Sequence, residues 1–150
     1  MAATGSAPAP VITAARFIIQ IQNLAQIAFS ELSGINSEVE PVEYISVDSG
    51  GNIVHTKQFG KTKPPKIILK RALDNDGKIF AWHQLVLMGD PAAAQDCSLS
   101  LQDAGGKTQL TYKLTNAWPA KYEVSGLKAG QSELVYETVE IVCDMIEMDA

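Results

Sequence analysis

Apolar and polar side chains alternate one by one in stretch after stretch of this chain, which restricts it to an architecture built on strands. In Phe17-Ile-Ile-Gln-Ile-Gln22, Phe17, Ile19 and Ile21 take one side while Gln20 and Gln22 take the other. The same period of two runs through Lys66-Ile-Ile-Leu-Lys-Arg71, where Ile67 and Leu69 oppose Ile68 and Lys70. It returns in Cys97, Leu99 and Leu101 against Ser98, Ser100 and Gln102, and in Leu110, Tyr112 and Leu114 against Thr111, Lys113 and Thr115. A two-residue period puts successive side chains on opposite faces, so each stretch predicts a strand with one buried face. Asp103-Ala-Gly-Gly-Lys107 joins the last two as a hairpin.

The remaining segments extend the pattern. A turn is expected at Leu32-Ser-Gly34 and a strand over Val39 to Val47, with Pro41 marking an edge or a bulge because proline cannot donate to a ladder. Asp48-Ser-Gly-Gly-Asn52 is a turn, and Ile53 to Phe59 leads into Lys61-Thr-Lys-Pro-Pro-Lys66, read as an exposed extended loop. Trp118 to Val124 reads as a separate short strand, Gly126 to Gly130 as a loop, and Glu133 to Met145 as one long final strand with apolar residues on both faces. Only Lys78 to Met88 has helical spacing, with Ile79, Trp82, Leu85 and Val86 recurring along one side. An Asp of Asp74-Asn-Asp-Gly77 is placed to cap it, and Gly89-Asp-Pro91 ends it. Strands that do not alternate with helices predict a mainly β fold, an antiparallel β-barrel or sandwich with one packed α-helix. Residues 1–15 are expected to be a flexible segment and 16–150 a single domain, since 150 residues suffice for one core without disulfide or metal.

Little in the chain points to chemistry. Val47-Asp-Ser-Gly-Gly51 resembles the surroundings of a serine protease nucleophile, but no histidine precedes it, and a hairpin turn explains it equally well. His55 and His83 stand far in sequence from Cys97 and Cys143, without the short spacings of a zinc site. Asp74-Asn-Asp-Gly77 lacks the later glutamate of a calcium loop, and no phosphate-binding glycine-rich loop occurs. No catalytic residue, cofactor or metal is therefore assigned. The two cysteines lie among alternating apolar residues and read as buried thiols in a reducing compartment. The amino terminus lacks the basic start and apolar core of a secretory signal, and no apolar run approaches the length that spans a bilayer, so cytoplasmic assembly is expected.

Charge is distributed unevenly within a net value of −5, which excludes a general nucleic-acid-binding face. Lys57, Lys61, Lys63, Lys66, Lys70, Arg71 and Lys78 cluster against Asp74 and Asp76, whereas Glu31 to Asp48 and Glu133 to Asp149 carry acidic charges alone. Segments of opposite sign favour head-to-tail association of identical copies. A solvated lysine-bearing hairpin accounts for the same pattern.

An ordered series of segments carries a family resemblance. Phe29-Ser-Glu-Leu-Ser-Gly34 is followed by Glu38, Glu40 and Glu43 leading to Tyr44, then by the Lys/Pro-rich stretch into Lys66-Ile-Ile-Leu-Lys-Arg71-Ala-Leu, then by Asp76 to Trp82. Leu114-Thr-Asn-Ala-Trp-Pro119, Tyr122, and Glu137-Thr-Val-Glu140-Ile within Glu133 to Ile141 come later. In this order they resemble the inner-tube proteins of contractile phage tails and contractile injection systems, although Lys63-Pro-Pro-Lys66 replaces the Leu-Pro-Gly type of turn common there. The resemblance implies a type VI secretion tube-like barrel and hexameric rings stacked into a hollow conduit for cargo or DNA. It further implies a contractile sheath, a baseplate hub or spike as partners, a place in a phage tail or phage tail-like particle, and no enzymatic activity. Ring-to-ring contact would then need a protruding arm. Gly50 to Lys66 is the candidate, with Lys57, Phe59, Lys61, Lys63 and Lys66 meeting Glu38, Glu40 and Glu43, or the carboxy-terminal strand, of an adjacent copy. The competing expectation is a small β-barrel module that binds a ligand.

Overall fold

A computed structural model describes residues 11–126, 130 and 134–149. The expected flexible segment 1–15 lies largely outside the described residues. Within it, residues 11–15 form no regular element, and the Ala15 N–H reaches the Gln102 carbonyl at 2.8 Å.

Among the described residues, eight strands and one α-helix follow in the order β1 (Arg16–Ile21), β2 (Ala25–Phe29), β3 (Glu31–Val47), β4 (Ile53–Ala72), α1 (Lys78–Leu87), β5 (Gln95–Gln102), β6 (Thr108–Ser125), β7 (Tyr136–Val142) and β8 (Met145–Asp149), with a short 3-10 helix at Pro91–Ala93 after α1. All pairings are antiparallel, in the order β2-β1-β5-β6-β7-β4-β3, with β8 on the other side of β6. The result is two sheets sharing β6. Its first half pairs with β5 and β8, and its second half with β7.

The bend in β6 has a local cause. Asn116 adopts φ 55°, a left-handed conformation that asparagine tolerates better than most residues. Its backbone N–H is taken by Asp96 at 3.0 Å and its side-chain amide by Asp144 at 2.9 Å. The strand can therefore turn from one sheet to the other without ending. The expected separate strands around Leu110–Thr115 and Trp118–Val124 are one continuous element.

The alternating side chains read from sequence fill the space between the sheets. Ile19, Ile21, Leu99 and Leu114 meet Ile67, Leu69, Val139 and Ile141, and Ile79 and Trp82 of α1 complete the core. Trp82 also donates its indole N–H to the Ala93 carbonyl at 2.7 Å, so its one polar atom is satisfied in the interior. Cys97 and Cys143 are buried free thiols, and burial pushes Cys97 up to about 12.

Several boundaries differ from expectation, each for a physical reason. Leu32-Ser-Gly34 is no turn. It is an irregularity inside β3, which starts at Glu31 because Leu32 and Ile35 pack against the core. Strand β2, unanticipated, buries Ile27 and Phe29. Lys61 to Lys66 is strand, not loop: Pro64 and Pro65 fall where the β3–β4 register slips between Asn36 and Glu38, so no ladder donor is missing. The Pro65 carbonyl still accepts from the Cys143 N–H at 3.2 Å. The final strand breaks at Cys143-Asp144 into β7 and β8, and Glu133, where it was expected to begin, lies outside the described residues. The helix cap is Gly77 in the left-handed conformation, while Asp76 accepts the Lys78 N–H at 3.2 Å from one position earlier.

Candidate self-assembly surface

Strands β3 and β4 outrun the body of the protein. Strand β4 pairs with β7 only over Lys66 to Ala72, so from Glu38↔Lys63 out to Val47↔Ile53 the two strands have, among the described residues, no partner but each other. This ribbon extends about 30 Å at a strand's rise of about 3.3 Å per residue. A two-stranded ribbon without a packed face is marginal in water. Yet it exposes Val39, Val42, Tyr44, Ile45, Val47, Ile53 and Val54, and Phe59 is 97% exposed.

Local chemistry holds the ribbon together. At its tip the Asp48 carboxylate accepts the Asn52 N–H at 2.8 Å and the Gly50 N–H at 2.9 Å, fixing the turn. The Asn52 backbone contact is the largest influence on this carboxyl and holds it below the usual carboxylate range. At the middle, a slip between Val39 and Pro41 bears out the bulge expected at that proline. Facing it, Gly60 has no room for a side chain: a Cβ there would sit 2.4 Å from the Glu40 carbonyl oxygen and 2.6 Å from Val42 Cγ2.

Cross-strand register sorts the side chains onto two faces. Pro41, Glu43, Ile45 and Val47 share one with Phe59, Lys57, His55 and Ile53. Val42, Tyr44 and Ser46 share the other with Gln58, Thr56 and Val54, and this outer stretch carries no charge. The structure thus gathers the sequence-predicted residues into one hairpin and pairs several within the chain. Lys63 Nζ lies 3.3 Å from Glu38, Glu43 lies 2.8 Å from His55 Nδ1 and faces Lys57 in register, and Lys66 reaches Glu140 at 3.1 Å. Lys57, Lys61 and Glu40 are exposed and make no ion pair among the described residues. Where the ribbon leaves the sheet, Asn36, Glu38, Lys63, Pro64, Lys66, Glu140 and Val142 line an open groove of about 450 Å³.

A second charged cluster anchors the root of this hairpin and was not anticipated. Glu137 on β7, 1% exposed, pairs with the Arg71 guanidinium on β4 and accepts the Tyr122 hydroxyl of β6 at 2.8 Å. Arg71 also reaches Asp76 at 3.0 Å and Asp74 at 3.4 Å, tying the strand to the start of α1. Burial, reinforced by the Glu137 carboxylate, pushes the Tyr122 phenol up to about 12. The cluster ties three strands and the start of the helix together. Among the described residues no three His, Cys, Asp or Glu side chains converge as metal ligands, and no helix is long and apolar enough to cross a membrane.

Two sheets with open outer strands and a hairpin ribbon packed on neither define a class: structural β-proteins whose open edges suit association. Comparison with known proteins places the chain within that class. It belongs to the family of the T4-like virus tail tube protein gp19, whose model matches residues 13–147. Its role is that of a structural tube subunit. Among solved structures it is similar to a chain in the extended-state sheath-tube complex of the PVC extracellular contractile injection system, with 22% identity and a TM-score of 0.74 over 97% of this chain and 94% of that one. It is also similar to a chain of the anti-feeding prophage tube-terminating cap, with 21% identity and a TM-score of 0.75 over 100% and 99% of the two chains. Hcp1 from Flavobacterium johnsoniae shares the fold more distantly, at 15% identity and a TM-score of 0.50 over 88% and 93%. No curated protein matches the chain in sequence.

Proposed function

We propose that this chain forms six-membered rings that stack into the hollow inner tube of a contractile particle, with the β3–β4 ribbon bridging one ring to the next. The observation that carries the reading is the ribbon itself, paired only within its own hairpin and exposing Phe59, Ile45, Val47, Ile53 and Tyr44 to water. Neighbouring copies that bury it supply the third layer it lacks. Lys57 and Lys61 then meet acidic side chains of the Glu38–Glu43 stretch on the next ring, where Glu40 is unengaged. The same tube would lie inside a contractile sheath, stand on a baseplate hub or spike and leave its lumen as the conduit for cargo. That role needs no catalytic group, cofactor or metal, and it places the protein in a phage tail or phage tail-like particle assembled in the cytoplasm.

The test is the triple variant Lys57→Glu/Lys61→Glu/Lys63→Glu. By negative-stain microscopy it should give isolated rings where the unmodified chain gives stacks, with an unchanged circular dichroism spectrum. Normal stacks from the variant would remove the ribbon from the ring-to-ring contact.

A further inference from the structure

Helix α1 is apolar on more sides than its packing uses. Its sequence Lys78-Ile-Phe-Ala-Trp-His-Gln-Leu-Val-Leu87 holds a single formal charge, at its first residue. Ile79 and Trp82 enter the core, and His83 is held to the Pro119 carbonyl through Nδ1 at 3.0 Å. Beyond Phe80, 45% exposed and with its ring 5.4 Å from that of Tyr122, the opposite side shows Leu87 and Met88, 68% and 71% exposed. A helix at a water boundary ordinarily turns a charged or polar stripe outward, whereas on α1 Gln84 is the one exposed polar side chain after Lys78. Apolar hollows flank it on both sides. One of about 280 Å³ is lined by Ile21, Leu24, Ala81, Trp82 and Leu85 with Lys78 at its rim, and one of about 230 Å³ lies between Val86, Pro91 and Trp118.

A ring closes only through a heterologous contact, in which one surface of each copy meets a different surface of the next. Strand β8 has the complementary character. Among the described residues it is an edge strand bonded only to β6; Met145, 54% exposed, shares one face with Glu147 and Asp149, while Met148, 61% exposed, lies on the other face with Ile146. Its charges, with the preceding Asp144, are all acidic (Glu147 and Asp149), opposite in sign to Lys78. Methionine side chains adapt well to shallow apolar hollows, and covering an edge strand with a helix removes its unpaired border from water.

We propose that the outward side of α1, with the hollow at Leu24 and Leu85, is the lateral joint of the ring and seats strand β8 of the adjacent copy. This rests on the tube reading but assigns a contact separate from the ribbon: α1 and β8 close the ring, and the ribbon stacks it.

Two variants test it. Leu87→Glu/Met88→Glu changes residues outside the core and should leave a folded chain of 16.1 kDa by native mass spectrometry, without rings or stacks. Leu87→Cys/Met145→Cys, treated with a short bismaleimide, should give a ladder of covalently joined copies up to the ring size, because Cys97 and Cys143 are buried and stay unreacted. The ladder is read on assembled protein and stands even if the glutamate variant fails to fold. Rings that persist in the glutamate variant, or rings of the cysteine variant that give no ladder, overturn the α1–β8 joint while leaving the tube reading intact. An unmodified chain that forms neither rings nor stacks overturns both.

Discussion

Removing the Glu137 carboxylate tests whether the hairpin root is held as described. Glu137 is 1% exposed, and the Arg71 side chain it neutralises is 12% exposed. In Glu137→Ala the guanidinium keeps Asp76 and Asp74 on its outer side but loses its buried partner, and the Tyr122 hydroxyl loses its acceptor. Breaking a buried pair from one side costs about 3–5 kcal/mol, because the remaining charge stays desolvated. For a domain of this size each kcal/mol moves the melting temperature by about 2–4 °C, so a fall of roughly 6–20 °C is expected. The double variant Arg71→Met/Glu137→Leu removes both charges and fills the space with apolar atoms. It should lose less than either Glu137→Leu or Arg71→Met alone, since replacing a buried pair whole is often nearly neutral. Thermal denaturation followed by circular dichroism on the unmodified chain, Glu137→Ala, Glu137→Leu, Arg71→Met and the double variant decides it. Losses that simply add across the two sites would refute the coupling.

Three further outcomes follow. Gly60→Ala should leave the melting temperature of the barrel nearly unchanged while raising the concentration needed for stacking about 10-fold or more, because its Cβ meets the Glu40 backbone and the ribbon must distort; light scattering against concentration reads this. Asp48 and Asp103 both have carboxyls held below the ordinary range, chiefly by the backbone N–H groups of Asn52 and Lys107, so the folded chain binds their protons more weakly than the unfolded one. Their contribution is complete above about pH 4 and is lost as pH falls through the lowered folded values, so melting temperature should hold from pH 7 to about 5 and drop below 4, with Asp103→Asn showing a shallower acid loss. Cys97 and Cys143 should resist a soluble disulfide reagent at pH 8 in the native chain and react fully in denaturant; fast native reaction would contradict their burial.

The core strands were legible because their side chains alternate: Ile19, Ile21, Cys97 and Leu99 are buried and Phe17 and Leu101 partly so, as the period requires. Boundaries were lost where tertiary context overrides local signals. Pro64 and Pro65 read as a loop because a proline removes a donor, but a register slip makes that donor unnecessary. The stretch ending at Thr115 and the one starting at Trp118 read as separate strands, although the two aspartate partners of Asn116 let the chain turn within one. The candidate site was half legible: the lysines and glutamates stand out as charge segments, whereas their pairing inside one hairpin depends on cross-strand register that no local pattern specifies. The Arg71–Glu137 pair did leave a trace. Arg71 continues the inward series Ile67, Leu69, and Glu137 begins the inward series Val139, Ile141, so opposite charges occupy core positions at the ends of two alternating strands.

Helical reconstruction by electron cryomicroscopy of the assembled protein tests the central account most directly. It should show rings of six copies in which every β3–β4 ribbon crosses to the adjacent ring and loses its exposed apolar side chains to that contact. Monomers at every concentration, even with sheath and baseplate components present, would contradict it, as would a tube whose ribbons project into solvent.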